Sequence, residues 1–165
     1  MPGLRRDATF RDAAGRVVLT RWREMMSYRD GTLAGDDIEE LHAMRVSSRR
    51  LRAAMDAFAG AFPAKTFRRH LRVVKEITDT LGAARDLDVA VDGLDAVLGE
   101  FADHERPGIE ALAAEYRAQR TGEATHIAAL FTRLDEERFA VRFERWVKRH
   151  TGVEPDELTT NPAGE

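Results

Sequence analysis

LHAMRVSSRRLRAAMDAF, residues 41–58, places two different stripes on one helix. At 3.6 residues per turn, successive side chains stand about 100° apart. On that period Leu41, Met44, Ser48, Leu51, Met55 and Phe58 share a face, the pattern of a helix packed on a core. His42, Arg45, Arg49 and Arg52, at offsets 0, +3, +7 and +10, share the neighbouring face. They span about 15 Å at 1.5 Å per residue. Four potential cations in one row repel one another, and an anion would offset that repulsion. The plainer reading is a solvated face, because arginine is a good helix former and is often spread over exposed surfaces. A lone histidine is likewise more often structural than a ligand. His42, however, lies on the polar stripe and not on the apolar one, which favours binding.

The remainder of the chain reads as further helices around this one. A first helix is expected over residues 9–29, with Val18, Trp22, Met25 and Met26 on one side. DGTLAGDD, residues 30–37, reads as a turn. Asp36 suits an N-cap, with Glu39 three residues on completing a capping box. Gly60 and Pro63 end the two-striped helix. The next helix, over 64–81, has Phe67, Leu71, Val74, Ile77, Thr78 and Leu81 on one face, and Gly82 kinks or ends it. Leu87, Val91, Leu94 and Leu98 keep helical spacing over 87–101. Pro107 and Gly108 open a long helix toward Leu134, and a last helix over 139–150 stops at Gly152. No strand pattern occurs, so the expected fold is all-α, a bundle of about five to six helices. The bundle is expected to fill residues 1–152, with 153–165, which has two prolines and no apolar period, a disordered tail.

Composition narrows the function classes. The 165 residues suit one domain with a real core, 43% of them hydrophobic and 33% charged. Cysteine is absent, which excludes disulfides, thiolate metal sites and a cysteine nucleophile. No apolar run approaches a membrane span and the N-terminus lacks an apolar signal segment, so a cytoplasmic protein with no membrane partner is expected. The formal net charge is −3, so a polyanion site must be a local cluster, which favours a compact anion over a duplex.

A second basic line lies on the following helix, where Arg68, Arg72 and Lys75 stand at offsets 0, +4 and +7. Asp79, four residues after Lys75, is placed to pair with it as an ordinary surface pair. A short turn joins the two helices, so they should be antiparallel neighbours, and both basic lines would border one groove. Beyond comes LGAARDLDV, residues 81–89. Arg85, flanked by Asp86 and Asp88, is either structural or reaches the groove while Asp86 orients a neighbouring arginine through a bidentate pair.

Together these two segments resemble the conserved histidine α-helical domain, CHAD. The family's histidine, arginine-valine, paired arginines and leucine-arginine match His42, Arg45, Val46, Arg49, Arg50, Leu51 and Arg52. Its leucine-glycine, arginine-aspartate and aspartate-valine match Leu81, Gly82, Arg85, Asp86, Asp88 and Val89, and Lys75 matches a commonly basic position. The resemblance covers residues 9–150 and corresponds to the first half of a domain usually built of two halves about a pseudo-two-fold. It implies non-catalytic binding of inorganic polyphosphate along a basic channel, with no cofactor and no metal. The residues assigned to the ligand are His42, Arg45, Arg49, Arg52, Arg72, Lys75 and Arg85. Arginine forks suit phosphate oxygens and stay charged. No aromatic interleaves the stripe to stack on bases, so nucleic acid is the poorer guess. With the second half absent, a homodimer that completes the channel is expected.

Other readings compete. Glu39 with His42 and Glu123 with His126 form two Glu-x-x-His pairs, as di-metal bundles use, but the pairs should face different environments. A phosphate-processing enzyme would need a carboxylate cluster or a phosphate-cradling glycine loop, and neither is written in the chain. A helical scaffold that docks a protein partner is the alternative to polyphosphate binding.

Overall fold

The computed structural model describes residues 9–153. Among them are six α-helices and no strand: α1 (Phe10–Ser27), α2 (Arg29–Ala34), α3 (Ile38–Ala57), α4 (Ala64–Val97), α5 (Arg106–Glu136) and α6 (Phe139–Thr151). Short 3₁₀ turns at Ala59–Ala61 and Leu98–Glu100 lead out of α3 and α4. The expected all-α bundle is therefore the fold. The tail read as disordered lies outside the described residues from 154 onward.

Local chemistry sets the helix ends. Thr9 accepts the Asp12 N–H at 3.2 Å while its own N–H donates to the Asp12 carboxylate at 3.1 Å, a capping box that starts α1. Segment 30–37 is not a plain turn. It contains α2, which ends at Gly35 in the left-handed region, φ 74°. The cap of α3 also differs from expectation. Asp37, not Asp36, accepts the Glu39 N–H at 2.9 Å, so Glu39 contributes its backbone and the expected box does not form. Prolines and glycines do fall where the sequence puts them at Pro63, the N-cap of α4, and at Gly152, the left-handed C-cap of α6.

The largest departure is α4. Gly82 does not end it, and the two helices expected there are one helix of 34 residues. Glycine inside a helix costs about 1 kcal/mol relative to alanine. Packing offsets this, since Leu81 and Ala84, on either side of Gly82, are fully buried. The outcome is a rod of about 51 Å at 1.5 Å per residue.

The core lies between α1, α3, α4 and α6, closed at one side by the C-terminal part of α5. Val18, Leu19 and Met25 of α1 meet Met44, Leu51 and Met55 of α3, as the apolar stripe of residues 41–58 anticipates. Val74, Ile77 and Leu81 of α4 and Phe131 of α5 complete it. Helix α6 buries Phe139, Phe143, Trp146 and Val147, with the Phe143 ring 4.6 Å from Trp22 and Trp146 stacked 4.4 Å from Phe62. Gly15 lets α1 and α6 close up, because a Cβ there would stand 2.2 Å from Thr151 Oγ1 and 2.5 Å from Val153 Cγ2.

The far halves of α4 and α5 leave this core as a two-helix arm. From Val89 to Leu112 no residue is buried, and the bonds that cross the arm are polar. Arg117 Nη2 donates to both oxygens of the Asp95 carboxylate, at 2.6 and 2.7 Å, and Arg120 Nε donates to Asp88 at 2.7 Å at the base. No described helix is long and apolar enough to cross a membrane.

Candidate anion-binding groove

Helices α3 and α4 pack on one another, joined by the short turn at Ala59–Ala61, so they run antiparallel, and at this seam Arg45 of the basic stripe reaches α4 at Gly82 and Asp86. At the middle of the seam Arg45 crosses to Gly82, where a Cβ would be 3.7 Å from Arg45 Nε. That is ordinary van der Waals distance, so the guanidinium lies against α4 at Gly82 without needing the glycine. Antiparallel pairing about this contact sets Arg49 and Arg52 opposite the turns of α4 that carry Thr78 and Lys75. His42, Arg45 and Arg52 are half-buried, and Arg49, Arg72 and Lys75 are exposed.

Three nitrogens of this group are buried without a hydrogen-bond partner: Nδ1 of His42, Nε of Arg45 and Nη1 of Arg85. A buried donor left unpaired costs about 1–3 kcal/mol. Such a cluster on one seam is unusual for a solvated stripe, whose heads would sit in water. Arg85, for which sequence left two readings open, therefore shares the seam's character. Asp86 does lie toward Arg45, but at 3.9 Å between Oδ1 and Nη2 and 78% exposed, so the bidentate pair is not formed. Arg50, a turn-step away from the stripe, instead reaches the Glu24 carboxylate of α1 at 3.3 Å.

Ion pairing sorts the cations of the described residues. Arg21, Arg23, Arg29, Arg117, Arg120 and Arg133 all hold carboxylates. Arg49, Arg52, Arg68, Arg72, Lys75 and Arg85 make no such contact among the described residues, nor does Lys75 take up Asp79. Apart from the Asp86 contact to Arg45 at 3.9 Å, the seam's cations are thus unneutralised among the described residues, in a chain with 29 acidic residues. The sequence shows the stripe, but not this sorting, because the competing pairs form between helices, as in Arg133 with Glu76 at 2.6 Å.

Two other features lie elsewhere. A cleft of about 410 Å³ between α2, α3, α4 and α5 is lined by Thr32, Ile38, Leu41, Asp88, Arg120 and Ile127 among others. Its guanidinium is already tied to Asp88, whose second oxygen has no partner. Its single guanidinium is matched by two carboxylates, those of Asp88 and Asp37, so it does not suit a polyanion. Of the two Glu-x-x-His pairs, His126 Nδ1 lies 3.4 Å from Glu123, on a histidine 69% exposed, while Glu39 is exposed and His42 belongs to the seam. No group of three metal-ligating side chains converges among the described residues.

Comparison with known sequences agrees with the motifs of the seam. The family model described as CHAD domain matches residues 16–164. No curated protein and no solved structure matches the chain.

Proposed function

The chain belongs to the CHAD domain family, and on that premise we propose that it binds inorganic polyphosphate, without catalysis, in the seam between α3 and α4. The observation that carries this reading is the set of buried, unpartnered nitrogens on His42, Arg45 and Arg85, beside cations that no carboxylate neutralises. A phosphate chain supplies what each lacks. Its oxygens accept from the three nitrogens, and its repeated charge offsets the repulsion along His42, Arg45, Arg49 and Arg52. Arg72 and Lys75 extend the contact from α4, with Lys75 as a point charge.

Titration with long-chain polyphosphate at two salt concentrations tests the reading. Affinity should fall as salt rises, because each phosphate contact releases counterions. A salt-insensitive interaction with protein partners alone would favour the scaffold reading instead. Changing Arg45 and Arg49 together to alanine removes two charge-assisted contacts of about 1.5–3 kcal/mol each. Binding should weaken by at least about a hundredfold. The apolar face of α3 is untouched, so the helical circular dichroism should not change. Unaltered affinity in that variant would remove the assignment of the site.

Two further parts of the proposal concern the assembly and its setting. Two copies would associate so that their seams face one channel, and the protein would work in the cytoplasm. In support of association, Leu33, Ile38 and Val89 are 36%, 38% and 54% exposed around the ends of α2, α3 and the base of the arm.

A further inference from the structure

The unneutralised cations do not stop at the seam. On α4, Arg72 stands about 60° and Arg69 about 120° round the helix from Lys75, away from α3. Both are exposed and neither meets a carboxylate. On that side α4 meets α6. His70, beside Arg69, stacks on Trp146 at 4.2 Å, and Trp146 Nε1 donates to Thr66 Oγ1 at 3.1 Å. Arg142 and His150 of α6 are near enough for their charges to bear on His70, as does that of Arg69. The α4 side of α6 is therefore the next surface reached from Arg69.

Helix α6 carries its own row there. Arg138, Arg142, Arg145 and Arg149 stand at offsets 0, +4, +7 and +11, about 16 Å along the axis. Phe139, Phe143, Trp146 and Val147 are buried in the core, and these arginines lie on the outer side together with Val141, 53% exposed. Glu144, the one acid of α6, is already held by Arg23 and Lys148 at 3.2 and 3.6 Å. Arg145 and Arg149 are exposed and unpaired, and Arg142 donates only to the Glu137 carbonyl at 3.2 Å. Arg138 even occupies a left-handed backbone position, φ 52°, that glycine would take at lower cost.

We propose that a long polyphosphate chain runs beyond the α3–α4 seam, over Arg72 and Arg69, and onto the arginine row of α6. This rests on the seam reading and names what extends it. Chain length becomes the determinant: a short oligophosphate fills the seam alone, and a long one gains the second row. The belt recognises repeated charge at intervals along a flexible thread, not a single compact group.

Tripolyphosphate and long-chain polyphosphate are the probes, each titrated against wild type, Arg145→Ala/Arg149→Ala and Arg45→Ala/Arg49→Ala. Arg145 and Arg149 are exposed, and Arg45 and Arg49 lie off the apolar face of α3, so both variants should keep the core, which circular dichroism checks. The α6 variant should bind tripolyphosphate as wild type does. It should lose about tenfold or more in affinity for the long chain, and its salt slope should fall by roughly one to two. The seam variant should lose both ligands. An α6 variant that holds the long chain with unchanged affinity and slope would overturn the inference and leave the seam reading standing. A seam variant that binds both ligands normally while the α6 variant loses the long chain would overturn the seam reading and make α6 the primary site.

Discussion

His70 is a basic side chain enclosed by rings, with Trp146 stacked on it at 4.2 Å and Phe139 and Phe143 at 5.9 and 5.8 Å. Burial lowers its pKa, and the neighbouring charges of Arg142, Arg69 and His150 act in the same direction, against the Thr66 carbonyl. The native state therefore resists a proton that the unfolded chain accepts near pH 6.5. Where the unfolded state binds more protons, stability rises with pH. Acidification through about pH 6.5 should accordingly destabilise the fold, by up to about 1.4 kcal/mol per pH unit, until the lowered native pKa is reached. Denaturant midpoints between pH 7.5 and 5 measure this, and His70→Phe should flatten the slope. An equal slope in that variant would place the titration elsewhere. In sequence His70 is one more residue of a basic run, RRH, and only the approach of α6 makes it an enclosed group. The same holds for Arg50, which shares the family motif with Arg49 yet is spoken for by Glu24.

At the scale of the element, Gly15 decides how closely α1 and α6 can lie. An added Cβ would stand 2.2 Å from Thr151 Oγ1, a hydroxyl fixed by its bond to the Val147 carbonyl at 2.9 Å. The neighbour is buried and cannot swing aside. Gly15→Ala should cost about 1–3 kcal/mol, as overpacking does, despite the better helix propensity of alanine. Urea denaturation measures the loss, and a gain in stability would mean that α6 yields freely. Helices α3 and α6 were legible because their apolar period is strong and their ends are marked by Pro63 and Gly152. The continuity of α4 was not, since a glycine reads locally as a break and the packing of Leu81 and Ala84 that overrides it is tertiary. Helix α2 was missed because six residues with an internal glycine give no period to read. The arginine row of α6 is written in the chain, but only the packing of Phe139, Phe143, Trp146 and Val147 shows which face of that helix is left outside.

For the whole molecule the proposed association has a direct measure. Two-fold pairs are the commonest closed assemblies, and pairing two cationic seams about one axis adds repulsion that bound polyphosphate would relieve. Light scattering at micromolar protein should show a dimer that polyphosphate strengthens. A monomeric mass under both conditions would leave one open seam as the complete site. The two-helix arm bears on a different property. It is joined to the core through the Asp88–Arg120 bond and braced halfway by Arg117 on Asp95, while its tip at residues 98–105 buries nothing. Such a hairpin opens by itself, at a free energy well below that of global unfolding. Its tip is accordingly the place where the chain tolerates being lengthened or cut and rejoined. A fluorophore or a tether grafted there would report on the protein from a position about 20 Å along α4 from Gly82, leaving both rows of cations clear.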